Sequence, residues 1–265
     1  MNSGAIGIFD SGVGGLTVFK ALKAVLPSES LIYLGDTARV PYGTKSAETV
    51  IKYSLECAHF LVQRNIKALV VACNTSSAYS IPFLSKEIKP NVIGVIRPGV
   101  KMALEKSASQ HIGVIGTPAT VASNAYAKML KELSPKARVI SQACPLFVPL
   151  VEEGWIDNEV AFETAKIYLE SFKNEKIDTL ILGCTHYPLL KPVIARVMGE
   201  GVTLIDSAYA VAAAVKEELQ TANMLASPSG KGAYQIYVTD LPARFEGIAH
   251  RFLGGDVPSV KRVEL

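Results

Sequence analysis

The chain has 265 residues, room for one large α/β domain or two small ones. Its apolar share of 49% excludes a disordered chain, and no collagen or heptad repeat is present. A net charge of +3, without a run of like charges, leaves no footprint for nucleic acid or an anionic membrane.

Short apolar runs alternate with helical patterns from end to end. Strands are predicted at 6–9, 31–34, 69–72, 92–95, 112–115, 138–141, 179–182, 203–205 and 235–238. Between them lie stripes at helical spacing. Leu16, Phe19, Leu22 and Leu26 form one, and Phe162, Ala165, Ile167 and Leu169 a rougher one. Strands alternating with helices predict parallel sheets covered on both faces, hence an α/β fold. No apolar stretch reaches the roughly 18 residues of a membrane span. Residues 1–5 carry no basic, signal-like segment, so a cytoplasmic location is expected.

A weak internal repeat runs through this pattern. The stretch from Ile6 to Ser11 is similar to that from Ile112 to Thr117, and Ala68 to Thr75 to that from Thr179 to His186. Two matches at nearly the same offset suggest two related halves, each with an early strand ending in Ser/Thr and a later strand ending in Cys. The expected division is 1–95 plus 208–265 for the first domain and 96–207 for the second.

In open α/β sheets, ligands bind beyond the carboxyl ends of the strands. Asp10 and Ser11 follow the first strand. Cys73, Asn74 and Thr75 follow the third, Thr117 the fifth, and Cys184, Thr185 and His186 the seventh. Cys57 and Cys144 read as buried filler. Cys73 and Cys184 each end an apolar strand, and each is expected at a helix N-terminus that favours a thiolate. A zinc site is a weaker reading, because Cys184 and His186 supply two ligands where a structural site needs four. The glycine-rich run from Asp10 to Gly15 is not a nucleotide loop, since it lacks the dinucleotide spacing and a following Lys-Ser/Thr.

Two thiols on repeat-related strands suit one reaction well. Racemisation of a small amino acid removes the α-proton from one face and returns a proton to the other. It needs two acid/base groups on opposite sides, and a free thiol, with a pKa of about 8.5, titrates nearer working pH than a carboxylate. Nearby amides and hydroxyls at Ser11, Asn74, Thr75, Thr117 and Thr185 can hold the substrate carboxylates. Asp10 is a candidate to face the ammonium or to support a thiol. No pyridoxal-phosphate lysine motif is evident, and the thiols remove the need for a cofactor.

Four ordered motifs carry a resemblance. The run from Asp10 to Leu16, Pro41-Tyr42-Gly43, the run from Val71 to Thr75 and the run from Leu182 to Pro188 resemble those of the glutamate racemases, and Arg251-Phe252-Leu253-Gly254 is similar to that family's tail. The resemblance implies a cofactor-independent, two-base racemase that supplies D-glutamate for peptidoglycan, built of two pseudo-symmetric α/β domains with the active site in the cleft between them, with glutamate as its small-molecule partner and a homodimeric state. It implies that Cys73 takes the α-proton from D-glutamate and Cys184 from L-glutamate. Asp10 would support Cys73, and His186 with Glu152 would support Cys184. Asp10, Ser11, Pro41, Tyr42, Gly43, Asn74, Thr75, Thr117, Thr185 and His186 would line the substrate, and no metal or other cofactor is implied. The alternatives are an aspartate racemase of the same superfamily and a non-catalytic amino-acid-binding module.

Overall fold

The computed structural model describes residues 4–265. Residues 1–3, included in the expected first domain and in the leader reading, lie outside the described residues.

Ten strands form two sheets: β1 (Ala5–Asp10), β2 (Leu31–Gly35), β3 (Ile66–Val71), β4 (Asn91–Gly94), β5 (His111–Gly116), β6 (Arg138–Ala143), β7 (Thr179–Gly183), β8 (Thr203–Ile205), β9 (Tyr234–Val238) and β10 (Val260–Arg262). One sheet has the order β10-β9-β2-β1-β3-β4 and the other β6-β5-β7-β8. Every pairing is parallel. The reason is visible in the burial. β1, β3 and β7 are buried at every position, as helices on both faces of a sheet require.

The repeat reappears as topology. The order β2-β1-β3-β4 in one sheet equals β6-β5-β7-β8 in the other, with β9 and β10 added beyond β2. In each half the chain starts at an inner strand, moves to one side, then returns to the other. The carboxyl ends of β1 and β3, and of β5 and β7, are therefore topological switch points, where such sheets open a crevice for a ligand. Register pairs Phe9 with Val71 and Gly116 with Gly183. Ser11 and Cys73 thus leave their sheet side by side, and Thr117 and Cys184 do the same.

The chain crosses between sheets through the helix Ile96–Lys106 and returns through Ser207–Thr221, which packs against it and against Leu16–Val25. Leu16, Phe19 and Leu22 are fully buried as the stripe predicts, each worth about 1.5–3 kcal/mol of burial. The second stripe needs a correction. Ile167 is 75% exposed, and the buried line of Glu159–Leu169 is Ala161, Ala165 and Leu169, a spacing of four.

The last long helix, Pro242–Leu253, packs on the first. Its Gly247 is exposed, and a Cβ there would meet nothing within 4 Å. Gly247→Ala is expected to raise stability by about 0.5–1 kcal/mol, because alanine loses less backbone entropy on entering a helix. Urea denaturation with an unchanged slope is the check.

Candidate active site

The first half contributes a thiol at a helix start. Cys73 is the N-cap of Asn74–Glu87, and its Sγ accepts from the Ser76 amide at 3.5 Å. On its other side it lies 3.8 Å from Ser11 Oγ. The expected thiolate does not result. Burial, and then the negative charge of Asp10, outweigh the amide and push this thiol up to about 11. Cys73 is therefore held as a thiol at neutral pH.

Cys184 corrects the same expectation differently. No α-helix begins behind it. A 3-10 turn, Tyr187–Leu190, comes first, and the helix Lys191–Met198 starts only later. Pro188 and Pro192 explain this, since inside a helix begun at Cys184 they would break its hydrogen bonds at a cost of about 3 kcal/mol or more. The support comes from a side chain instead: His186 Nδ1 lies 3.9 Å from Cys184 Sγ. The other ring nitrogen, Nε2, lies 3.1 Å from Glu152 Oε1. Burial alone would lower His186, but Cys184 and Glu152 reverse this and hold it up to about 10. Glu152 answers in the opposite sense. Burial works to raise its carboxyl, yet His186 holds it below the ordinary carboxylate range. Glu153 faces solvent, with Arg244 3.9 Å away, so Glu152 is the member of that pair that reaches the site.

Asp10 ties the two halves together. It is fully buried, and its Oδ2 accepts from the Gly12 amide at 3.0 Å. Its Oδ1 accepts from Thr185 Oγ1 at 3.4 Å, across the boundary between the halves. Burial raises this carboxyl, and the charge on His186 opposes the rise. With its amide turned to its own aspartate, the glycine-rich loop is not arranged as a phosphate cradle. Its glycines serve close approach: a Cβ on Gly14 would lie 2.2 Å from Thr185 Oγ1 and 2.5 Å from His186 Nδ1.

Hydroxyls and amides complete the join. Thr75 Oγ1 lies 2.9 Å from Thr117 Oγ1 and 3.1 Å from Thr120 Oγ1. Asn74 Nδ2 donates to Tyr126 Oη at 2.7 Å. Pro41 is exposed at the start of the turn Tyr42–Thr44. Gly43 lies against Thr117, where a Cβ would come within 2.6 Å. The Tyr42 side chain is buried, donating to Asp36 and packing on Tyr53 in the small apolar cluster that also holds Cys73. Thr120 and Tyr126 escape the sequence reading, because each reaches the site from inside a helix rather than from a strand end.

Cys57 and Cys144 are buried, and burial raises both thiols well above their ordinary value. All four cysteines are free. Among the described residues no group of three His, Cys, Asp or Glu could hold a metal ion, and no helix is long and apolar enough to cross a membrane. A cavity of about 650 Å³, lined by residues such as Ile81, Met102 and Ala214, includes neither Cys73 nor Cys184 and is not this site.

Residues 16–215 match the family model described as Asp/Glu/Hydantoin racemase. This chain belongs to the Asp/Glu/hydantoin racemase family. Within that family it is 54% identical to a glutamate racemase of Geobacter metallireducens, over 98% of this chain and 97% of the relative. The crystal structure of a glutamate racemase from Bacillus anthracis superposes with a TM-score of 0.96 at 42% identity, covering 100% of this chain and 99% of that one. A second, from Francisella tularensis in complex with D-glutamate, gives 0.93 at 38% identity, covering 100% and 98%. The racemase fold thus runs through the whole chain, with two parallel sheets as its sequence predicts.

Proposed function

We propose that this protein interconverts L- and D-glutamate without a cofactor, using Cys184 and Cys73 as the two proton-transfer groups. The observation that carries the reading is that the two thiols follow equivalent strands of the two halves, and that Asp10, whose charge acts on Cys73, accepts a hydrogen bond across the halves from Thr185, the residue after Cys184. With L-glutamate, the Cα–H bond breaks and an S–H bond forms at Cys184. The Cys73 S–H bond breaks, and its proton goes to the opposite face of the α-carbon. With D-glutamate the roles reverse. No net charge or electron is gained, so the step balances within the site.

The two thiols are supported unequally. Protonated His186, held by Glu152, stabilises negative charge on Cys184, and the raised Cys73 thiol is the matching acid. Asp10 is assigned as the partner of Cys73. Ser11, Asn74, Thr75, Thr117 and Thr185, with the backbone of the segment from Pro41 to Gly43, are assigned to the substrate carboxylates and ammonium. Glu152→Gln removes the charge behind His186, so the imidazole should titrate at lower pH. Turnover should drop by about 10²-fold, the lower end of what a positioned acid/base group supplies. Imidazole NMR across pH, with steady-state rates, checks both.

The same reading includes supply of D-glutamate to peptidoglycan precursors, a cytoplasmic location, a homodimer, and domains at 1–95 plus 208–265 and 96–207. Light scattering tests the dimer and limited proteolysis the division. The reaction is tested with metal-free, reduced protein and L-glutamate in D₂O. Loss of optical rotation with deuterium entering at the α-carbon supports the reading. A parallel run with L-aspartate decides the substrate. Folded protein with free thiols that changes neither amino acid leaves an amino-acid-binding module in its place.

A further inference from the structure

We infer that the last turn of the helix Pro242–Leu253, through Phe252 and Arg251, is the positioning element for the His186–Glu152 pair and so controls proton transfer at Cys184 rather than at Cys73. This rests on the two-thiol reading above. The helix belongs to the layer of the six-stranded sheet: it packs on Leu16–Val25, and its Phe245 lies 6.2 Å from the Tyr33 ring on β2. Its last turn, however, reaches residues carried by the other sheet. The Phe252 ring is 3% exposed and meets the His186 ring nearly perpendicularly, at 86°, with centroids 5.5 Å apart. The neighbouring Arg251 Nη1 donates to the Glu152 carbonyl oxygen at 2.6 Å. The seat for that guanidinium is shaped for it. Gly154 adopts φ +80°, and a Cβ there would lie 3.0 Å from Arg251 Cζ.

Each contact fixes one half of the pair. Phe252 covers one side of the imidazole, keeps water from it and leaves the ring one orientation, with Nδ1 toward Cys184 and Nε2 toward Glu152. Arg251 pins the end of the helix Phe147–Glu152, which sets where the Glu152 carboxylate begins. Cys73 depends on other partners: Ser11, the Ser76 amide and Asp10. The device is therefore one-sided.

One-sidedness has a particular signature. Enantiomers have equal free energy in water, so the equilibrium constant is unity and kcat/KM is the same in both directions whatever the mutation. Which of the two proton transfers is slower can still change, and isotope effects report it. The variants are Phe252→Leu and Arg251→Ala, with Phe60→Leu as a control, buried in a separate apolar cluster that contains neither thiol. Rates are measured in H₂O with α-deuterated L-glutamate and α-deuterated D-glutamate.

Phe252→Leu should lower kcat/KM by about ten- to a hundredfold, as loss of alignment by a fraction of an ångström does. The isotope effect on kcat/KM should rise with deuterated L-glutamate, whose deuteron Cys184 removes, and fall with deuterated D-glutamate. Arg251→Ala should move both in the same sense by less, and the control should move neither. A rate loss with unchanged isotope effects, a change in the opposite sense, or an unchanged rate would overturn the proposal. The free protein gives a second readout that needs no turnover. The His186 titration should shift in Phe252→Leu, because the ring loses both its cover and its alignment on Cys184 and Glu152, and an unshifted titration likewise counts against the helix. A wild-type protein that racemises no glutamate would instead remove the functional reading, and the titration still judges the contact.

Discussion

Cys73→Ser and Cys184→Ser are each expected to abolish racemisation in both directions, with a loss of at least about 10³-fold, within the range that one acid/base group contributes. In the proposed mechanism each turnover uses both thiols, one as base and one as acid, so neither direction should survive the loss of either. A serine hydroxyl is a far weaker acid than a thiol of pKa about 8.5, and it cannot hold the α-proton or the charge. The single variants separate the two roles. Cys184→Ser should still exchange the α-proton of D-glutamate with D₂O, because Cys73 remains on that face. Cys73→Ser should exchange only L-glutamate. Inversion should accompany neither. The substitution is nearly isosteric, and both positions are buried, so the cost of a poorly bonded hydroxyl is about 1–3 kcal/mol. Circular dichroism confirms that the fold is kept. Full turnover in either variant would end the two-thiol mechanism, and exchange of both enantiomers by both variants would end the assignment of faces.

Gly14→Ala should reduce kcat/KM by about 10²-fold, the scale of a small misplacement at a reacting centre. The reason is steric. The new methyl would lie 2.2 Å from Thr185 Oγ1 and 2.5 Å from His186 Nδ1, far inside van der Waals contact. Something must move, and both neighbours hold the site. If Thr185 moves, Asp10 loses its partner across the halves. If His186 turns, Cys184 and Glu152 lose theirs together. The overpacking also costs about 1–3 kcal/mol of stability, so Tm should fall. Gly247→Ala is the companion measurement, since the same methyl in open space should raise Tm without touching turnover. A Gly14→Ala protein with the wild-type rate would show that the loop can withdraw without disturbing His186.

Much of this was readable in advance. Strands buried on both faces leave continuous apolar runs, and all nine predicted strands are present with ends shifted by a few residues. β10 escaped because it is three residues long, mostly exposed and carries Lys261 and Arg262, so it has no apolar pattern to read. The placement of the strand-end candidates was legible for the same kind of reason. Asp10 ends its strand, and Ser11, Cys73, Asn74, Thr75, Thr117, Cys184, Thr185 and His186 follow strand ends, which a parallel sheet delivers to one edge.

By itself, then, the sequence determined the α/β class, the short repeat that marks two related halves and the presence of two thiols at matching strand ends. These follow from local periodicity and short-range spacing. Only the tertiary structure decided what each thiol is. Burial beside Asp10 keeps the Cys73 thiol protonated although a helix starts at it. His186 and Glu152, braced by Phe252 and Arg251 from the opposite end of the chain, make the surroundings of Cys184 different. The physical reason is that acidity depends on charges and solvent within a few ångströms. Those neighbours come from distant parts of the chain, so no local pattern carries them.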